Sequence, residues 1–279
     1  MTVGVVGLGL IGGSIAKGYK AAGHTVYVCN RTESVADQAI ASGAADGKLT
    51  PETIPLCDII IISLYPEASI SWLQSNARFI RKDGLVTDAC GTKRLICEKC
   101  FPIAEEYGFV FFGAHPMAGT HFSGFAYSRA DMFTGAPLVV VPPRFDDEAL
   151  IRRIKDAVAP LGFGKIEITT AEKHDRMIAY TSQLAHVVSN AYIKSPSSYS
   201  HDGFSAGSFR DLTRVAWLNE NMWTELFLEN RDFLSWEIGF IIDRLAEYKT
   251  ALDDNDAETL CRLLRDGRVA KEMSEKSIK

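Results

Sequence analysis

The segment Gly7-Leu8-Gly9-Leu10-Ile11-Gly12 constrains this chain more than any other, because of what flanks it. Thr2–Val6 before it is an apolar strand, Ser14–Ala22 after it has helical composition, and Gly23 leads into a second apolar strand, Thr25–Cys29. A G-x-G-x-x-G run is weak evidence alone, but inside a strand–turn–helix–strand unit each glycine has a physical task. The first permits the tight turn, the second lets a pyrophosphate approach the backbone, and the third lets helix and strand pack closely. The helix start then offers free N–H groups and the positive end of its dipole to phosphates. Gly7, Gly9, Leu10, Ile11 and Gly12 are therefore expected to hold a dinucleotide, and the fold is expected to begin as a Rossmann-type α/β domain.

Strands continue along the chain. Cys57–Ser63 and Leu85–Asp88 are apolar runs, and Phe109–Ala114 is a third that meets His115-Pro116, where proline is expected to halt the strand. Strand ends at Gly7, Cys29, Ser63, Asp88 and His115 would then share one edge of a parallel sheet. In such sheets that edge is where ligands bind, which makes His115 better sited for proton transfer than for packing. Ser63 and Leu64 leave the third strand toward the same edge and are expected to contact the cofactor. After the second strand the usual carboxylate for the adenosine ribose is missing, and Asn30-Arg31-Thr32 stands there. A planar guanidinium at Arg31 can pair with a 2′-phosphate, so NADP is expected over NAD. The strand Leu138–Val141, a helix over Asp147–Leu161 and the strand Lys165–Ile168 complete the first domain, placed at residues 1–168.

From Thr170 the pattern becomes helical, giving an all-α second domain over residues 169–279. Ala171–Ile193 reads as one long helix in which His174 and His186, twelve residues apart, lie about 120° apart around the axis. A Gly/Ser/Pro-rich loop over Ser195–Ser208 precedes Phe209–Ala216, then a long helix over Asn221–Thr250 and a last one over Asp256–Gly267. These apolar helices exceed what one small core covers, and a homodimer through the helical domain is expected.

A net charge of −5 without a Lys/Arg cluster argues against nucleic acid or an anionic membrane as the main partner. The apolar N-terminus has no basic region before it and reads as a strand, no long uncharged apolar span follows, and the cysteines fall largely in apolar runs. A cytoplasmic protein is expected. Cys97-x-x-Cys100 lacks a second ligand pair and reads as helix packing, so no metal site is expected.

The residues His115-Pro116-Met117-Ala118-Gly119-Thr120, Ser123-Gly124, Ser128-Arg129-Ala130-Asp131 and Phe133 through Pro137 resemble the prephenate dehydrogenases, oxidoreductases of tyrosine biosynthesis. The resemblance extends to Gly7–Gly12, Asp88–Lys93, His174-Asp175, Ser182–His186, Asp211–Arg214, Met222-Trp223 and Phe227–Asn230. It implies oxidative decarboxylation of prephenate with hydride transfer to NAD(P), with arogenate as the alternative substrate. In the roles it implies, His115 takes the proton of the ring hydroxyl, Arg214 grips a substrate carboxylate, and His186 touches substrate or cofactor. Where many relatives carry a serine this chain has Gly91; Thr92, next in line, is the candidate to supply the missing hydroxyl. Gln183 and Ala185 also depart from the family pattern. His174-Asp175 reads as a structural bond or cap at a helix start, and His121 as an exposed loop residue. A nucleotide-binding sensor without catalysis is a rival reading, disfavoured by the joint presence of His115 and Arg214. A 3-hydroxyacid dehydrogenase would need a catalytic lysine, for which only Lys173 offers itself.

Overall fold

Four consecutive isoleucines, Ile59–Ile62, can be buried on both sides only within a parallel sheet that is covered on both faces. The computed structural model describes residues 1–120 and 122–276 and places these four at the sheet's centre; His121 lies outside the described residues. The strands are β1 (Thr2–Val6), β2 (Thr25–Cys29), β3 (Gly47–Lys48), β4 (Ile59–Ile62), β5 (Leu85–Asp88), β6 (Val110–Pro116), β7 (Pro137–Val141) and β8 (Lys165–Ile168). Their order across the single sheet is β3-β2-β1-β4-β5-β6-β7-β8. The first six run parallel, in the order of the doubly wound dinucleotide folds. β7 then pairs antiparallel with β6, and β8 parallel with β7. The two-residue β3 is too short to leave a periodic signal, and the sequence reading does not contain it.

The helices α1 (Leu10–Ala21), α2 (Glu33–Ala41), α3 (Pro66–Asn76), α4 (Arg94–Tyr107) and α5 (Glu148–Val158) connect these strands. Alternation along the strands feeds two cores. Ile59 and Ile61 join Val3, Val5 and Phe112 on one face, and Ile60 and Ile62 join Val6, Val86 and Phe111 on the other. The loop between β6 and β7 is fastened by Met132 and Phe133, both buried in the first of these cores. It is also bound to α1, where Arg129 N donates to Ser14 Oγ and Lys17 Nζ to Ser128 O.

Pro116 does not halt β6 at His115 as expected. Met117 N donates to Pro137 O, so the neighbouring pair Pro116–Leu138 is of the non-hydrogen-bonded kind. The donor that proline lacks would face the side where β5 has already ended, its last pair with β6 being Thr87–Phe112. No neighbour asks for that N–H.

The helical half also departs from the expected pattern. The rod expected over residues 171–193 is α6 (Ala171–Ile178), a π-helical turn over Ala179–Gln183, and α7 (Leu184–Tyr192). α8 (Gly207–Thr213) and α9 (Glu220–Glu229) follow. The helix expected over 221–250 breaks at Asn230, and α10 (Arg231–Asp253) begins after it. α11 (Ala257–Lys276) is longer than the expected 256–267. The chain divides into two compact units, Met1–Asn230 and Arg231–Lys279. In the second, Tyr248 OH donates to Leu263 O between α10 and α11, while Trp236, Phe240, Leu245, Leu264 and Met273 stay exposed.

Within the first unit, side-chain hydrogen bonds explain both departures. Asn230 is fully buried; its Nδ2 donates to Asp175 O and to Gln183 Oε1, each at 2.8 Å, and its Oδ1 accepts from Arg94 Nη2 at 3.0 Å. Gln183, on the π turn, donates in turn to Leu226 O of α9 at 3.1 Å. A buried amide with every group satisfied specifies where two helices meet. Thr92 Oγ1 donates to Glu229, and Leu226 lies over Gly91, so α9 is held against the loop after β5.

Asn230→Ala strands Gln183 Oε1 and the Asp175 carbonyl, and is expected to cost about 1–3 kcal/mol, read as a lower urea midpoint with an unchanged slope. Burial pushes the Glu229 carboxyl up from 4.5 to about 7, with the neighbouring Glu225 charge adding to it and the Thr92 bond opposing it. A carboxyl raised in the folded state binds protons the unfolded chain has released. Stability should therefore fall as pH rises from about 4.5 through about 7. Glu229→Gln should remove that slope in urea titrations across the same range.

Candidate active site

The glycine turn is built as the residue types require. Gly7 has φ +86°, and a Cβ there would stand 2.5 Å from Ser63 O, while one on Gly12 would stand 1.9 Å from Gly7 O. Gly9, at the cap of α1, is exposed with open space around it. Leu64 packs on the turn, and Asn30 braces it, accepting from Leu8 N at 3.0 Å while its Nδ2 donates to Thr32 O. Ser63 Oγ is buried at the end of β4 with no partner among the described residues. A turn that excludes side chains, an uncovered helix start and a polar atom awaiting a partner together fit a nicotinamide dinucleotide. Thr32 caps α2, and Arg31 beside it is exposed, with no ion pair among the described residues.

Farther along the same edge the polar groups are buried. Asp88, at the end of β5, is 1% exposed and accepts from Ala114 N, Cys90 N and Lys93 Nζ. Burial works against the Lys93 charge, but Asp88 outweighs it and holds the ammonium pKa above its usual value. Side-chain alternation along β6 puts His115 on the same face as Phe111 and Gly113, toward α4; a Cβ on Gly113 would meet Cys97 Sγ and Lys93 Cδ. On that face His115 Nδ1 lies 2.9 Å from His174 Nε2, and His174 Nδ1 lies 2.7 Å from Asp175 Oδ1. Asp175 also accepts from Lys93 N at 2.7 Å, Arg94 N at 2.9 Å and Arg94 Nε at 3.3 Å, at the start of α4.

These surroundings set the charges. Burial, with the Lys93 charge adding, holds His115 well below the usual imidazole range, so it is neutral near pH 7. His174 is held down by burial, which its bond to Asp175 only partly offsets. Burial opposes the Asp175 charge, but donors from His174, Arg94 and Lys93 outweigh it and keep the carboxyl below its usual value.

The remaining expected residues form a second group. His186 on α7 is half-buried; its Nδ1 donates to Val215 O at 2.9 Å, and its ring centroid is 4.1 Å from that of Trp223. Burial lowers its pKa, and the nearby Arg214 charge lowers it further. Arg214, at the end of α8, is exposed and makes no ion pair with Asp211 or any other described residue. Thr92 is 2% exposed, and its hydroxyl is directed to Glu229. The structure thus joins His186 to Arg214 and joins His115 to a residue the sequence reading set aside, His174. The two histidines of the helical rod lie one in each group. The sequence signals for His174 are its adjacency to Asp175 at a helix start, which points equally to a structural role, and its place in the family resemblance, which assigns it no task. Among the described residues no group of three His, Cys, Asp or Glu side chains is placed to hold a metal ion.

Comparison with known proteins agrees with this architecture. Residues 15–167 match the family model described as prephenate dehydrogenase, nucleotide-binding domain, and residues 170–266 match prephenate dehydrogenase, dimerization domain. The chain is 28% identical to the cyclohexadienyl dehydrogenase of Zymomonas mobilis, over 96% of this chain and 94% of that one. It is 28% identical to the prephenate dehydrogenase of Lactococcus lactis, over 97% of this chain and 77% of that protein. Among solved structures, Synechocystis arogenate dehydrogenase superposes with a TM-score of 0.82 at 26% identity, covering 98% of this chain and 100% of that one. With both family models matched along nearly its whole length and the doubly wound sheet in place, this chain belongs to the prephenate dehydrogenase family.

Proposed function

We propose that this chain oxidatively decarboxylates prephenate to 4-hydroxyphenylpyruvate, releasing carbon dioxide and passing a hydride to a nicotinamide dinucleotide. The observation that carries the reading is His115: a neutral, largely buried imidazole, not closed off from solvent, at the ligand-binding edge of a dinucleotide fold, beyond the end of β5. A base at that place removes the ring hydroxyl proton as the C–H bond breaks. When bound, the nicotinamide supplies the hydride acceptor. Loss of the ring carboxylate restores aromaticity, which the protein assists by holding the substrate still. Arg214, exposed and without an ion pair among the described residues, orients a substrate carboxylate. His186 lines the site, its Nδ1 fixed on Val215 O and its Nε2 left to accept. The turn from Gly7 to Gly12 holds the pyrophosphate.

The same chemistry on arogenate is the second reading, favoured by the likeness to an arogenate dehydrogenase and to a cyclohexadienyl dehydrogenase. NADP is the proposed cofactor, with NAD as the alternative, because Arg31, without an ion pair among the described residues, stands where a ribose-binding carboxylate would repel a 2′-phosphate. A homodimer through the helical domain is supported by the matched dimerization model and by the apolar side chains that α10 and α11 leave exposed. A cytoplasmic place accords with these readings; no described helix is long and apolar enough to cross a membrane.

Reduced-cofactor absorbance with prephenate and arogenate, each offered with NAD and NADP, tests the reading. Turnover in at least one combination is expected, and silence in all four with cofactor bound would sink it. His115→Asn should lower kcat about 100- to 10,000-fold with cofactor affinity nearly unchanged. Arg31→Ala should raise KM for NADP by about tenfold, the worth of a charge-assisted bond, and leave KM for NAD within about twofold.

A further inference from the structure

We propose that His174, backed by Asp175, is a positioning residue that fixes His115 in the tautomer with Nδ1 protonated, so that Nε2 is the atom that takes the substrate's proton. The proposal rests on the reading of His115 as the base. It follows from counting protons along a chain of three side chains. Asp175 is ionised and can only accept, so His174 Nδ1, 2.7 Å from its Oδ1, carries a hydrogen. A neutral imidazole carries one, so His174 Nε2 is a bare lone pair. His115 Nδ1 lies 2.9 Å from that lone pair and must therefore donate to it. His115 Nε2 is then bare as well, and is the atom able to accept.

Asp175 cannot swivel to reverse this polarity. It is 1% exposed, and Lys93 N, Arg94 N and Arg94 Nε all point at its two oxygens. The two imidazoles meet side-on, with centroids 5.1 Å apart and planes at 63°, which suits a hydrogen bond between ring nitrogens and not a stack. When His115 Nε2 takes the hydroxyl proton, the O–H bond breaks and the new N–H bond makes His115 an imidazolium. Its Nδ1–H···His174 bond becomes charge-assisted and strengthens as the reaction proceeds. His174 therefore favours the protonated base more than the resting one, the differential that accelerates a step.

The test is the tautomer itself. Protein carrying 15N-labelled histidine, kept at a pH where both imidazoles are neutral, gives ring-nitrogen shifts that separate protonated from bare nitrogens; the His115 signals are those absent from His115→Asn. The expected result is Nδ1–H with bare Nε2 in the wild type, and loss of that preference in His174→Phe. In steady state His174→Phe should lower kcat about 10- to 100-fold, a fraction of what general-base catalysis contributes, with KM for the cofactor within about twofold. His174→Gln, whose side-chain carbonyl reaches the place of Nε2, should restore kcat to within about fivefold of wild type, whereas a merely structural role would give no such rescue. A wild-type His115 with Nε2 protonated overturns the proposal, as does His174→Phe with unchanged kcat. Should His174→Phe fail to fold, the wild-type spectrum decides alone. It is recorded without substrate, so an error in the assigned reaction appears as absent wild-type turnover and an error in the tautomer as a protonated Nε2.

Discussion

The carboxylate of Asp175 is the joint on which the catalytic edge depends. It sits against the first N–H groups of α4, where an anion meets unsatisfied donors and the positive end of the helix dipole. Because Asp175 belongs to α6, that contact fixes the helical rod against the sheet, and its remaining lone pair fixes His174. A buried carboxylate this well supplied with donors tolerates neither removal nor rotation, since either leaves charged or polar groups unpaired in a dry place. The Asp88–Lys93 pair beside it works in the same way on the sheet side, holding Ala114 N and with it the strand that delivers His115.

How much of this was legible depends on the range of the interaction that determines it. The strands β1, β2, β4, β5 and β6 and the glycine turn are written in local pattern: apolar runs bounded by glycine, proline or small polar residues. The dinucleotide end of the site followed from that pattern. The π turn and the break at Asn230 did not, because periodicity there continues while the backbone answers to Gln183 and Asn230, whose partners lie 43 to 55 residues away. His174 meets His115 across 59 residues, and Thr92 meets Glu229 across 137. No spacing rule spans such separations, so the histidine at a helix start reads as structural, and the threonine in the loop as a hydroxyl for the site with no sign of its bond to Glu229.

Gly91 shows how the size of one residue sets what packs above it. A Cβ on Gly91 would stand 3.3 Å from a methyl of Leu226, so α9 occupies space that a larger residue would contest. Gly91 carries no hydroxyl, and that of Thr92 is given to Glu229. In this chain the support for His115 comes from behind, through α6.

The π turn carries a consequence for length. A single π turn adds one residue to a helix without adding a turn, which retards everything beyond it by about 100°. The twelve positions from His174 to His186 then advance as eleven would in a regular helix, and the two imidazoles come within about 20° of one another around the axis instead of about 120°. Shortening Ala179–Gln183 by one residue would leave a regular helix and keep the two histidines at that same angle of about 20°. The irregularity is thus a phase adjustment: the π turn takes up one surplus residue and so keeps the angle at which α7 presents His186 while α6 keeps His174 on His115.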